Sequence, residues 1–168
     1  GARWTPPCWV SKEVTPVDPQ AARVEMIVAK DSGHAGAGTV VADGAFSEDF
    51  LVALEACWSQ LPVAPREKTS PNDRFYVLDL DGYLRRHLNR AILSIASCQS
   101  GEVVPQMRFL RYAEPGGALP PHVDLPRLDA SFGRSTHTFL LYMTDCTEGG
   151  ETIILQALDG DEALAAAG

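Results

Sequence analysis

The chain changes character at about Val103. Before that point, runs with helical spacing of apolar residues alternate with short β-branched segments. Beyond it, strand-like runs joined by glycine and proline turns follow one another, at 103–125, 135–145 and 149–158. Helices first and clustered strands afterwards are typical of an α+β fold in which the helices support an antiparallel sheet or sandwich. We therefore expect any chemistry to lie in the second half.

A first helix is predicted within residues 46–62. Ser47 is a suitable N-cap, Glu48 and Asp49 complement the helix dipole in the first turn, and Pro62 ends the helix. Its apolar face comprises Phe50, Leu51, Leu54, Cys57 and Trp58.

A second helix and three strands complete the first half. The helix is indicated across residues 81–100 by the recurrence of Leu84, Leu88, Ile92 and Ile95. The strands are predicted from β-branched runs at 23–29, 38–44 and 74–80. His87 lies beside the apolar stripe, which favours a packing or surface role over a ligand role. Arg85, Arg86 and Arg90 could form a local basic patch, but Asp79 and Asp81 lie nearby, which favours a solvated helix face.

Length and composition favour a soluble protein with one domain. The 168 residues are 45% hydrophobic and 21% charged, and no apolar run approaches the roughly 20 residues of a membrane span. The formal net charge of −8 argues against general attraction to nucleic acid. The four cysteines lie far apart, without the close pairs of zinc sites or a disulfide framework. The compartment stays open, with an intracellular one favoured.

The proline-rich segment 1–21 is predicted to be an extended N-terminal arm, and residues 22–168 to be a single domain. The chain begins Gly-Ala, without a methionine or an apolar signal segment. We therefore expect it to be a piece or a processed product of a longer polypeptide.

The segment "PPHVDLPR", residues 120–127, contains a histidine and an aspartate two positions apart. On an extended chain His122 and Asp124 point to the same side. Non-haem Fe(II) oxygenases bind iron through two histidines and one carboxylate, so the two residues are suitable as two of three ligands. A proline-framed surface turn is the alternative, and the neighbouring motifs decide between them.

Three further motifs flank this pair in a fixed order. Tyr112 lies in "RFLRYAEPGG", Thr138 and Tyr142 lie in "THTFLLYMTD", and "EGGET" follows at 148–152. The run 104–155 resembles the catalytic core of the Fe(II)- and 2-oxoglutarate-dependent dioxygenases, in the prolyl-4-hydroxylase-like branch. Upstream, "VVADGAFSEDFLVALEACW" is similar to the strand-then-helix entry of the same fold.

The resemblance implies a double-stranded β-helix core, of jelly-roll or cupin-like type, with supporting N-terminal helices. It implies that His122 and Asp124 are catalytic metal ligands and that Tyr112, Thr138 and Tyr142 bind the cosubstrate. The cofactors would be Fe(II), 2-oxoglutarate and O2, with ascorbate as an optional addition. The reaction would be hydroxylation of a C–H bond with release of succinate and CO2.

Within this branch the expected substrate is a prolyl residue in a protein or peptide. A small molecule is a further option, whereas nucleic acid and membrane partners are not expected. Two rival functions stay open. One is a non-catalytic β-sandwich that binds peptides or acts as a scaffold after losing the metal site; the other is a cupin-like hydrolase or isomerase with a different metal.

The third ligand is the point at which the resemblance fails. In the family, a second histidine and a basic residue that pairs with 2-oxoglutarate lie several dozen residues beyond the His-x-Asp motif. The other histidines are His34, His87 and His137, and none falls there. On a strand, His137 would also face away from Thr138 and Tyr142. We expect either that the last strands are missing from this chain or that the domain has lost its iron, and we favour the first.

Overall fold

A computed structural model describes residues 18, 21–64, 72–95, 98 and 100–156. Most of the predicted arm, residues 1–21, lies outside these ranges. In chain order the described elements are β1 (Arg23–Met26), β2 (Val40–Asp43), α1 (Glu48–Trp58), β3 (Asp73–Leu78), α2 (Arg85–Ile92), β4 (Gln106–Arg111), β5 (Leu128–Asp129) and β6 (Gly133–Arg134). They pair as β1 with β2, β3 with β4, and β5 with β6, in two-stranded sheets.

The chain divides into two compact units. Unit 1 comprises Gly1–Val24 and Ala42–Gly117, and unit 2 comprises Glu25–Val41 and Ala118–Gly168. Among the described residues, the buried apolar side chains all belong to unit 1: Phe50, Leu54, Cys57, Leu61, Phe75, Val77, Leu84, Leu88, Ala91 and Ile92. Among the described residues of unit 2, none is fully buried. The hydrophobic core of the described structure therefore lies in unit 1.

Helix α1 begins where its sequence predicts. Ser47 is extended, with φ −75° and ψ 152°, and its hydroxyl accepts a hydrogen bond from the Phe50 N–H at 3.2 Å. This bond satisfies one of the first-turn donors that lack a partner within the helix. The helix ends at Trp58, before Pro62, and its buried residues belong to the predicted apolar face.

Strands β3 and β4 form an antiparallel ribbon that packs on this helix through Phe75, whose ring lies 5.4 Å from that of Trp58. The register runs from Asp73 opposite Arg111 to Leu78 opposite Gln106. At the first of these pairs, Arg111 Nη2 donates to the Asp73 carboxylate at 2.7 Å. The Arg111 guanidinium also lies over the rings of Trp58 and Phe75, at 5.8 and 5.5 Å from their centroids. These contacts close one end of the ribbon.

Helix α2 is capped from outside by Asp79, while Arg86 and Arg90 on the helix are exposed, in agreement with the predicted solvated face. The carboxylate is 1% exposed and accepts the N–H groups of Tyr83, Leu84 and Arg85. The N-cap residue of the helix is Leu84, whose side chain offers no acceptor, so the aspartate five residues earlier takes this role. The helix ends at Ile92, earlier than the apolar spacing suggests.

The strand predictions for the second half are only partly correct. Strand β4 forms, but residues 118–127, 135–145 and 149–156 have no strand pairing. A β-rich run becomes a strand only when a partner supplies the ladder of hydrogen bonds, and these runs have none among the described residues. Unit 2 instead contains the short hairpin β5–β6, whose turn is stabilised by Asp129 Oδ1 accepting from the Ser131 and Phe132 N–H groups. The double-stranded β-helix remains a prediction.

Candidate functional site

His122 and Asp124 come together in unit 2, as the spacing predicts. His122 Nε2 lies 3.7 Å from Asp124 Oδ1, and the two side chains are 45% and 48% exposed. This separation is too long for a direct hydrogen bond. The segment that carries them, 120–127, is irregular rather than the end of a strand. The pair therefore owes its geometry to local contacts.

The main local contact is made by the other ring nitrogen of His122. His122 Nδ1 lies 2.8 Å from the carbonyl oxygen of Pro120. Because a carbonyl oxygen only accepts, Nδ1 carries the proton in this hydrogen bond, and in the neutral ring the lone pair is on Nε2. Histidines that bind metals usually donate their second ring N–H to a carbonyl or carboxylate, which fixes the tautomer. Pro120 fixes the ring of His122 in this way.

The pair fits a single divalent metal ion. Nitrogen and carboxylate ligands lie about 2.1 Å from such an ion, so two of them cannot be more than about 4.2 Å apart. The 3.7 Å between Nε2 and Oδ1 satisfies this limit. No group of three or more potential metal-ligating side chains occurs within the part of the chain that the structure describes. Among the described residues, this candidate site therefore offers two side chains that could bind a metal.

Tyr142, a predicted cosubstrate residue, has a partner that the sequence analysis missed. Its hydroxyl is hydrogen-bonded to the hydroxyl of Thr152. Thr152 follows the turn at Gly149 and Gly150, whose φ angles of 74° and 84° favour glycine. The turn was visible in "EGGET", but the register that places Thr152 opposite Tyr142 was not. Two hydroxyl groups are thus presented together, and Tyr142 is 61% exposed.

The remaining predicted site residues are all exposed. Thr138 is exposed in unit 2, and Tyr112 is exposed in unit 1, directly after β4. His137 is exposed, and its Nδ1 lies 2.9 Å from the hydroxyl of Thr136. The structure therefore brings His122 to Asp124 and Tyr142 to Thr152.

The other two histidines have structural roles. His34 Nδ1 accepts a hydrogen bond from the Gly36 N–H at 2.9 Å, so its neutral ring carries the proton on Nε2. The His87 ring stacks on Phe50 with centroids 4.8 Å apart. Burial lowers the pKa of His87 from its ordinary 6.5, and the charges of Arg86 and Arg90 lower it further. This agrees with the predicted packing role.

No protein-family model, curated protein or solved structure matches the chain. Within the described ranges, neither helix has the length and apolar character needed to cross a membrane.

Proposed function

We propose that the chain is a catalytic domain, or part of one, of an Fe(II)- and 2-oxoglutarate-dependent dioxygenase. The observation that supports this proposal best is the arrangement of His122. Its Nδ1 is tied to the Pro120 carbonyl, and its Nε2 lies 3.7 Å from Asp124 Oδ1. This is the way in which a metal-binding histidine and carboxylate are held ready for one ion.

The residues of the chain have separate tasks in this proposal. His122 and Asp124 would hold the metal, and the Asp124 carboxylate would offset part of its positive charge. Bound Fe(II), with 2-oxoglutarate and O2, supplies the oxidising chemistry that releases succinate and CO2 and hydroxylates the substrate. Tyr142, oriented by Thr152, would donate a hydrogen bond to a carboxylate of 2-oxoglutarate. Thr138, an exposed residue of the same unit, is proposed to contribute a further hydroxyl group to the cosubstrate.

A prolyl residue in a protein or peptide is the proposed substrate, and ascorbate an optional cofactor. A substrate chain would contact several apolar side chains close in sequence to His122 and Asp124. Val123, Leu125 and Leu128 are 73%, 82% and 84% exposed. Exposed apolar groups beside a site indicate a surface for an apolar or peptide ligand.

The metal site is tested by titrating Mn(II), a redox-stable substitute for Fe(II), with and without 2-oxoglutarate. We expect 2-oxoglutarate to increase the affinity for Mn(II), because it adds ligands to those that His122 and Asp124 provide. His122→Ala and Asp124→Ala should each lower Mn(II) affinity at least about tenfold. His137→Ala and Asp145→Ala are matched controls, since both are exposed residues of the same unit.

Equal losses in the control variants, or no response to 2-oxoglutarate, would contradict the proposal. The cosubstrate role of Tyr142 is tested by Tyr142→Phe, which removes only the hydroxyl. It should weaken 2-oxoglutarate binding about 3- to 10-fold, which is the effect of one hydrogen bond, and leave Mn(II) affinity without 2-oxoglutarate unchanged.

The exposed apolar groups also favour the second candidate function, a peptide-binding domain without catalysis. The two functions differ in their dependence on the metal. Binding of a proline-containing peptide that is unaffected by Asp124→Ala, combined with no 2-oxoglutarate-dependent release of succinate, would favour the binding domain.

A further inference from the structure

The glycine-rich segment 33–38 contains glycines that are required for different reasons. Gly33 and Gly38 have φ angles of 69° and 88°, a region that residues with a side chain rarely adopt. Gly36 has no such angle, and its constraint is steric instead. A Cβ atom at Gly36 would lie 2.5 Å from Ile154 Cγ2, closer than real Cβ atoms approach.

The backbone at Gly36 is held by hydrogen bonds on both sides. Its N–H donates to His34 Nδ1 at 2.9 Å, and its carbonyl accepts from the Thr39 hydroxyl at 2.7 Å and from the Thr39 N–H at 3.1 Å. Moving this backbone would break some of these bonds. An added methyl group would therefore displace Ile154 rather than the glycine-rich segment.

A displacement of Ile154 would also shift Thr152, which is close to it along the chain. Only one residue separates Ile154 from Thr152, whose hydroxyl is bonded to that of Tyr142. We propose that Gly36 is a positioning residue of the 2-oxoglutarate site: its lack of a side chain seats Ile154 and so keeps Thr152 within reach of Tyr142. The link to 2-oxoglutarate rests on the proposed function, whereas the coupling of Gly36 to Tyr142 does not.

The test uses Gly36→Ala in the 168-residue chain, alone and with two substitutions of Ile154. Gly36→Ala should weaken 2-oxoglutarate binding, measured with Mn(II), about 3- to 10-fold, as expected for the loss of one oriented hydrogen bond. Mn(II) affinity without 2-oxoglutarate should stay the same. The NMR signal of the Tyr142 ring carbon that bears the hydroxyl, assigned with Tyr142→Phe, should shift because its partner has moved.

The two double variants distinguish a specific effect of the Gly36–Ile154 contact on Tyr142 from a general loss of structure. Ile154→Ala removes Cγ2 and makes room for the new methyl, so Gly36→Ala/Ile154→Ala should recover the properties of Ile154→Ala alone. Ile154→Val keeps both carbons bonded to Cβ, so Gly36→Ala/Ile154→Val should remain defective. If Gly36→Ala alone does not fold, the two double variants still show whether removing Cγ2 of residue 154 relieves the effect of the added methyl group.

An unchanged Tyr142 signal in Gly36→Ala, or equal behaviour of the two double variants, would overturn the inference. Failure of the unsubstituted chain to bind 2-oxoglutarate would instead remove the proposed function. In that case the Tyr142 signal still shows whether Gly36 is coupled to the Tyr142–Thr152 pair.

Discussion

Asp79 and helix α2 provide a quantitative test of how unit 1 is stabilised. The Asp79 carboxylate is 1% exposed and accepts three backbone hydrogen bonds. Oδ1 accepts from the Tyr83 N–H at 2.9 Å, and Oδ2 accepts from the Leu84 and Arg85 N–H groups at 2.8 Å each. Asp79→Ala removes all three acceptors and leaves the start of the helix without a cap.

The expected loss follows from the burial of each donor. The Leu84 N–H belongs to a buried residue, and a buried donor without a partner costs about 2 kcal/mol. The Tyr83 and Arg85 residues are half-buried, so water can partly replace the carboxylate, at about 0.5–1 kcal/mol each. Asp79→Ala should thus lower the free energy of unfolding by about 3–4 kcal/mol. Asp79→Asn keeps one oxygen but turns an NH2 group towards a donor, so about 2 kcal/mol is expected.

Urea denaturation measures these values when Trp4 and Trp9 are replaced by Phe, so that the fluorescence comes from Trp58, which packs on Phe75 within unit 1. Asp43→Ala is the matched control, because Asp43 is an exposed aspartate of the same unit. It should change the free energy of unfolding by no more than about 0.5 kcal/mol. The capping argument is refuted if Asp79→Ala loses less than about 1 kcal/mol, or if the control loses as much.

Three further measurements test other contacts. Burial lowers the pKa of His87 from 6.5, so the neutral ring stabilises the folded protein above pH 6.5, and this stability is lost as the pH falls through the pKa of His87 in the folded protein. Between about pH 7.5 and pH 5.5, the urea midpoint of the unsubstituted chain should therefore fall further than that of His87→Phe. Burial, with the charge of Asp79, raises the pKa of Cys57 to about 11, which makes its thiol unreactive at neutral pH. Mass spectrometry should therefore show that iodoacetamide labels the exposed Cys146 in the native protein and labels Cys57 only after denaturation. Arg111→Ala and Asp73→Asn form a double-mutant cycle for an ion pair whose side chains are 46% and 13% exposed, and the cycle should give a coupling of about 0.5–1 kcal/mol.

Helix α1 was predictable because its signals are local. The Ser47 cap bonds a residue three positions away, and the acidic first turn is adjacent to it. Asp79 was not predictable in the same way. An aspartate before a helix can be solvated or can cap the helix, and only its burial against the core distinguishes these outcomes.

The site shows the same division between local and non-local information. The period-two spacing predicted that His122 and Asp124 lie together, because it depends only on an extended chain. The Tyr142–Thr152 pair depends on how the chain returns after the turn at 149–150, and the sequence does not define that register. The strand predictions failed for 135–145 because strand formation requires a partner, which a β-rich run cannot specify.

The exposure of the site residues makes functional tests easier to interpret. His122, Asp124 and Tyr142 are 45%, 48% and 61% exposed, and all three belong to unit 2, whereas the buried core lies in unit 1. Substitutions at such positions usually change the free energy of unfolding by less than about 0.5 kcal/mol. A loss of metal or 2-oxoglutarate binding in these variants, with an unchanged urea midpoint, can therefore be attributed to the removed ligand or hydroxyl rather than to unfolding.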